Sequence, residues 1–155
     1  MALDPTNVIM HRALGFYYAF HAQPDSAVAS FERAVKLNPT LFGGRSNLVF
    51  GYAAAGRWPD ALRQRVLIER ETGDNSPNFS RMVVDLAFGE NDAAMTALEQ
   101  GVERREPLFG LVSIPCDELF DPLKSNARFA VLLNRLGVRA CPAGGTWPIA
   151  RRHTG

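Results

Sequence analysis

The chain has 155 residues, of which 46% are hydrophobic and 21% are charged, a size that suits one ordinary domain. Its 17 Lys and Arg residues against 16 Asp and Glu residues give a net charge of +1, which excludes charge-driven disorder and a broadly basic nucleic-acid surface. The longest nearly apolar stretch, residues 47–56, is about half of the ~20 residues that a membrane span requires, and no export signal is recognisable at the N-terminus. We therefore expect a soluble globular protein without a membrane partner.

Two cysteines, Cys116 and Cys141, are too few for a disulfide scaffold and lack the spacing of metal ligands. The composition therefore predicts a reducing compartment, and we expect the protein to be cytoplasmic. Cys116 follows Pro115 in an expected loop, and no basic neighbour is present to lower the pKa of its thiol. This cysteine is predicted to be unreactive.

Apolar residues recur at three- and four-residue spacing along residues 7–138, which predicts short helices, and strand-like alternation is absent. The first break falls before Pro24, a residue that suits the first turn of a helix because it has no N–H to satisfy there. Pro59 and Pro77 repeat this signal, and Ser76 is the predicted N-cap of the helix that follows it. The sequence therefore predicts a succession of helices joined by short turns.

A period of 34 residues relates four pairs of identical residues: Pro5 and Pro39, Leu14 and Leu48, Tyr18 and Tyr52, and Ala27 and Ala61. In its spacing and residue types the first unit resembles the tetratricopeptide repeat family, with His11 in place of the usual Trp. The matching positions are Leu14, Gly15, Tyr18, Ala27, Phe31 and Pro39. This resemblance implies helical hairpins in which small residues, Gly15, Ala27, Gly56 and Ala61, let paired helices approach each other closely.

The later repeats depart further from the family pattern. The second unit has Arg65 in place of the aromatic residue and Gly73 in place of the closing proline. A third unit follows at a spacing of 33 residues, since Gly89 and Ala94 repeat the preceding Gly and Ala positions. Its first helix is degenerate.

A final amphipathic helix is predicted after the Phe-Asp-Pro-Leu turn at residues 120–123, with Gly137 as its stop. Residues 89–138 resemble the C-terminal end of the tetratricopeptide regions of bacterial transcriptional regulators, adenylate cyclases and kinases. Residues 2–5 resemble the closing residues of an earlier repeat. The resemblance implies a piece or descendant of a longer repeat array.

The predicted fold is therefore all-α, a tetratricopeptide-type superhelix of about three helix-turn-helix hairpins with a C-terminal capping helix. The sequence predicts three segments: the end of a preceding repeat at residues 1–6, the repeat domain at 7–138 and an irregular tail at 139–155. Within the repeat domain, the repeats are predicted at about residues 7–39, 41–73 and 75–107, and the capping helix at 126–137.

The resemblance places a peptide-binding groove on the first helix of each hairpin. Of the groove residues, only Arg12 and Asn47 resemble the polar clamp by which family members hold a terminal carboxylate, and most others are aromatic. Such a channel favours an apolar segment, supplied either by a partner or by this chain's own C-terminal helix. The predicted groove residues are Arg12, Phe16, Phe20, Asn47, Phe50, Phe79 and Val83.

No catalytic constellation is recognisable, because His11, His21 and His153 have no carboxylate or cysteine at a spacing that suggests a joint site. We expect no enzyme activity, no cofactor and no metal. Acidic residues interleave the arginines of residues 57–71, which predicts an exposed helix with ion pairs and argues against a nucleic-acid partner. A contact of Arg151 and Arg152 with an acidic partner is a lesser alternative to a solvated terminus.

The expected function is a protein–protein interaction module that binds a peptide or helix of a partner in an aromatic-lined concave groove. The alternative is a structural role, either self-association as a homo-oligomer or a terminal regulatory domain of a larger bacterial signalling protein or transcription regulator. The sequence leaves the identity of the partner open.

Overall fold

The computed structural model describes residues 7–40, 43–107, 114–142, 144 and 146–150. The chain divides into two compact units, residues 1–76 with 148–155 (unit one) and residues 77–147 (unit two). Every regular element in the described residues is a helix, which confirms the predicted all-α fold class. No helix among them is both long enough and apolar enough to cross a bilayer. The predicted end of an earlier repeat, residues 1–6, and the arginines at 151 and 152 lie outside the described residues.

Unit one contains two helical hairpins. Its helices are α1 (Val8–Phe20), α2 (Pro24–Leu37), α3 (Gly44–Ala54) and α4 (Trp58–Thr72), and a 3₁₀ turn follows at Gly73–Asn75. Helix α1 packs on α2 and α3 packs on α4, while α3 also contacts both helices of the first hairpin. Pro24 and Pro59 lie in the first turns of α2 and α4, as their sequence positions predict.

The centre of unit one is the ring of Phe31 on α2, which lies between two glycines. A Cβ atom on Gly15 of α1 would stand 2.3 Å from Cε1 of Phe31, and one on Gly51 of α3 would stand 2.7 Å from its Cδ2. Both distances are too short for real contacts, so any side chain at these two positions would displace the ring. The predicted role of Gly15 in close helix approach is therefore confirmed.

The three hairpin turns share one backbone geometry. Ala22, Gly56 and Gly89 adopt the left-handed conformation, with φ values of 56°, 70° and 73°. The residue after each donates its N–H to the carbonyl oxygen five residues earlier, as in a Schellman motif. These bonds run from Gln23 to Tyr18 (2.9 Å), from Arg57 to Tyr52 (2.8 Å) and from Glu90 to Asp85 (2.8 Å). Gly56 therefore serves the turn, and its predicted role in helix packing is wrong because no atom lies within 4 Å of a Cβ there.

The described residues of unit two form one hairpin and a terminal helix. Its elements are α5 (Asn78–Ala87), α6 (Asn91–Glu103), a 3₁₀ helix (Glu118–Leu123) and α7 (Ala127–Leu136). Helix α5 packs on α6, and α6 also contacts the 3₁₀ helix and α7. Helix α7 ends at Gly137, whose φ is 69°, in agreement with the predicted stop. The fully buried large side chains are Phe79, Met82, Leu86, Met95, Leu98, Phe120, Leu123, Phe129 and Leu132.

The start of α5 differs from the sequence prediction. Ser76 does not cap this helix, and its Oγ atom is buried with no hydrogen-bond partner among the described residues. The carboxylate of Glu106, beyond the end of α6, accepts hydrogen bonds from Asn78 Nδ2 (2.7 Å) and from the N–H of Phe79 (3.4 Å). A negative charge is stabilising at this end of a helix. Glu106 is thus a half-buried cap of α5.

Candidate functional site

The structure divides the predicted groove residues between the two units. Arg12, Phe16 and Phe20 lie on α1 and Asn47 and Phe50 on α3, all in unit one, whereas Phe79 and Val83 lie on α5 in unit two. The five residues of unit one form one group.

Three of these residues form an aromatic cluster around the core of unit one. The ring of Phe16 lies 5.1 Å from Phe31, in an edge-to-face arrangement, and 5.4 Å from Phe50. The ring of Phe20 lies 5.9 Å from Phe50. Phe50 is completely buried, while Phe16 and Phe20 are half-buried. Phe50 is therefore a core residue, and Phe16 and Phe20 connect this core to the surface.

One side of α1 remains open to solvent. The side chains of Ile9 and Tyr17 are 74% and 53% exposed, and Ala13 between them is also exposed. Helical periodicity places Phe16 and Phe20 next to these residues, since positions 9, 13, 16 and 20 follow the four- and three-residue steps of one helix face. We call the set of Ile9, Ala13, Phe16, Tyr17 and Phe20 the α1 face.

Tyr17 is a member of the α1 face that sequence reasoning missed. Its ring stacks on the imidazole of His21, with centroids 4.0 Å apart and planes inclined by 22°. His21 is held in turn, because its Nδ1 lies 2.7 Å from the carbonyl oxygen of Tyr17. The signal that could have found Tyr17 was the four-residue spacing of Ile9, Ala13 and Tyr17. The tetratricopeptide pattern includes the next residue, Tyr18, and does not include Tyr17.

The two predicted polar groove residues differ in their surroundings. Arg12 is half-buried beside the α1 face, and desolvation lowers the pKa of its guanidinium below its ordinary value. Asn47 is 2% exposed, and its Oδ1 has no hydrogen-bond partner among the described residues. A buried acceptor without a donor costs about 1–3 kcal/mol. Arg12 is thus the polar group nearer to solvent, whereas Asn47 is enclosed.

Phe79 and Val83 on α5 are 1% and 0% exposed. Neither side chain offers a surface to a ligand in this conformation. Phe79 and Val83 are therefore core residues, like Phe50.

A polar connection in unit one joins α2 to α3. The hydroxyl of Tyr52 donates to Glu32 Oε1 at 2.9 Å, and the guanidinium of Arg57 lies 4.7 Å from the centre of the Tyr52 ring. Burial, followed by the hydrogen bond to Glu32, raises the pKa of Tyr52 to about 12. The phenol therefore stays protonated at neutral pH. Its geometry is that of a structural hydrogen bond between helices.

The arginines of α4 form the predicted ion pairs along the helix surface. Arg57 and Arg63 both pair with Asp60, at 2.8 and 3.1 Å, and Arg65 pairs with Glu69 at 3.3 Å. These contacts agree with the expectation of an ion-paired exposed helix. Within the described part of the chain, no group of His, Cys, Asp and Glu residues could hold a metal ion.

The cysteines overturn a sequence expectation. Cys116 and Cys141 form a disulfide across 25 residues, with their Cα atoms 4.8 Å apart. From the sequence, both cysteines were expected to be thiols in a reducing compartment. That argument loses its basis, because the pairing depends on the fold of unit two and is not evident from the spacing of two residues.

No protein-family model matches the chain, and neither do any curated protein sequences or solved structures. The tetratricopeptide resemblance therefore depends on the residues of the sequence itself.

Proposed function

We propose that this protein is a non-enzymatic protein-interaction module of the tetratricopeptide type, which binds an apolar segment of a partner protein on the α1 face. The observation that carries the proposal is the exposure of Ile9 and Tyr17 next to the half-buried rings of Phe16 and Phe20. Grouped aromatic and aliphatic side chains of this kind supply most of the binding energy at protein interfaces.

The composition of the α1 face indicates the chemistry of the partner. Its members are aliphatic or aromatic, namely Ile9, Ala13, Phe16, Tyr17 and Phe20. A partner segment with aliphatic or aromatic anchors would therefore complement this surface.

We assign fewer of the predicted groove residues to direct contact with the partner. Phe50 supports the α1 face from the core, because both Phe16 and Phe20 pack against it. Asn47, Phe79 and Val83 are buried, so we assign them no direct contact with the partner. Binding would depend mainly on Ile9, Phe16, Tyr17 and Phe20.

Resemblance to bacterial regulators supports the alternative of a terminal regulatory domain in a larger cytoplasmic protein. Self-association through the same face is a third arrangement. In both cases the apolar side of α1 would be covered, either by another domain or by a second copy of the chain.

A random peptide library displayed on phage and selected on the immobilised full chain tests the proposal. We expect selected peptides to contain apolar anchors. Their affinity, measured by fluorescence polarisation, should fall at least 10-fold in Ile9→Ser and in Tyr17→Ser. Val66→Ser is the matched control, because Val66 is also exposed (42%) but belongs to α4.

Circular dichroism should be the same for all three variants, since each changed side chain is exposed. If no peptide is enriched, or if Val66→Ser weakens binding as much as the α1 variants, the proposal is wrong. Sedimentation of the unmodified chain as a dimer, reversed by Tyr17→Ser, would favour self-association instead.

A further inference from the structure

The chain folds back onto the 3₁₀ helix of unit two after α7 ends. The N–H of Cys141 donates to the carbonyl oxygen of Pro115 at 2.8 Å. The N–H of Gly144 donates to Asp121 Oδ2 at 2.9 Å, and Lys124 Nζ donates to the carbonyl oxygen of Pro142 at 3.3 Å. We call the described residues 138–142 and 144 the tail segment. It forms neither helix nor strand and is attached by bonds to residues 115–124.

Asp121 of the 3₁₀ helix and Lys124, which directly follows this helix, contact the tail segment. Lys124 and Asp121 form an ion pair with each other, and both side chains are largely buried, at 10% and 12% exposure. Each also bonds to the tail segment, as described above. The charges are therefore fixed in place by each other and present one donor and one acceptor to the returning chain.

The disulfide lies at the same place as these hydrogen bonds. It joins Cys116, next to Pro115, to Cys141 in the tail segment. Cys116 is exposed, whereas Cys141 is half-buried. The sulfur of Cys116 is therefore the more accessible target for a thiolate from solution.

We propose that the Cys116–Cys141 disulfide is a reversible redox site that holds the tail segment on unit two, and that a small thiol such as glutathione opens it. The tail segment contains no regular element of its own, and its hydrogen bonds to Asp121, Lys124 and Pro115 exchange readily with water once the covalent link is broken. The disulfide restricts the separation of the two chain segments and thereby keeps these bonds formed.

The reaction is a two-step thiol–disulfide exchange. A glutathione thiolate attacks Sγ of Cys116, a mixed disulfide forms, and Cys141 leaves as a thiolate that takes up a proton. A second glutathione thiolate attacks the glutathione sulfur of this mixed disulfide and releases Cys116 as a thiolate, which is also protonated. Overall, two electrons reduce the protein disulfide to two thiols, while two glutathione molecules are oxidised to one glutathione disulfide.

Hydrogen exchange measured by mass spectrometry on the full chain tests the proposal. The protein is equilibrated either with oxidised or with reduced glutathione. We expect the amides of Cys141 and Gly144 to exchange at least 10-fold faster in the reduced protein, and alkylation after denaturation to detect two thiols instead of none. Reoxidation should restore the slow exchange.

The double variant Cys116→Ser/Cys141→Ser is the matched control, and it should exchange as the reduced protein does in both buffers. Two results would each overturn the proposal. One is the presence of two thiols in protein equilibrated with oxidised glutathione. The other is equal exchange of the Cys141 and Gly144 amides before and after reduction, because the disulfide would then not hold the tail segment. Neither result depends on peptide binding by the α1 face.

Discussion

In unit one the helices meet through aromatic packing, with Phe31 enclosed between Gly15 and Gly51 and in contact with Phe16. In unit two, long-range polar and covalent bonds supplement the apolar core. Arg128 on α7 pairs with Glu99 on α6 and donates to Thr96 Oγ1 at 3.0 Å. Glu106 caps α5, and the disulfide joins Cys116 to Cys141, which lie 25 residues apart in the sequence.

The difference follows from how the two units are built. In unit one, two complete hairpins pack through apolar surfaces, and the hydrogen bond from Tyr52 to Glu32 adds one polar contact between α2 and α3. The described residues of unit two form one hairpin and the terminal helix α7. Specific bonds such as Arg128 to Glu99 fix the position of α7 on α6.

The largest effect is expected at the centre of unit one. Phe31→Ala should destabilise the protein by about 3–5 kcal/mol, because the ring fills the space between α1 and α3. The free energy of unfolding, obtained from urea titration of the full chain, measures this loss. Phe31→Leu is the control and should lose less. A midpoint for Phe31→Ala close to that of the parent would show that aromatic packing does not dominate unit one.

Removal of the disulfide should have the next largest effect, and it should be confined to unit two. A loop of this length predicts a loss of about 3 kcal/mol in the Cys116→Ser/Cys141→Ser variant, compared with the oxidised parent. Hydrogen exchange should accelerate for amides of α7 and leave those of α1 unchanged. Equal acceleration in both helices would contradict the contrast between the units.

A smaller effect is expected where the two units are alike. Ala61 on α4 and Ala94 on α6 are predicted to occupy the same repeat position, and both are completely buried. Ala61→Leu and Ala94→Leu should each cost about 1–3 kcal/mol through overpacking, measured as a lower melting temperature. Arg63→Ala is the control and should be nearly neutral because the Arg63 side chain is 69% exposed. Three equal melting temperatures would refute the shared repeat position.

The smallest effect concerns the hairpin turns. Ala22→Gly should stabilise unit one by about 1 kcal/mol, because Ala22 pays a steric penalty at its φ of 56° that glycine avoids. Gly56→Ala should destabilise by a similar amount at the equivalent turn. Thermal unfolding of the two variants should therefore shift in opposite directions. Shifts in the same direction would mean that the two turns are not equivalent.

The sequence by itself determined the local features of this protein. The sequence predicted the helix starts at Pro24 and Pro59 and the helix end at Gly137. It also predicted the close helix approach at Gly15. Each depends on residues within one hairpin, where steric limits on the backbone and helical periodicity act directly. The 34-residue period predicted that the hairpin is repeated along the chain, and this repetition predicted the all-α fold class.

The tertiary structure decided which side chains stay exposed and which distant groups meet. The burial of Phe50 and the exposure of Tyr17 depend on how α1 and α3 pack, which periodicity alone does not specify. The cap from Glu106 to α5 and the Cys116–Cys141 disulfide join residues 25 or more positions apart. Such pairs have no local sequence signal, because they form only when the intervening chain brings their atoms within bonding distance.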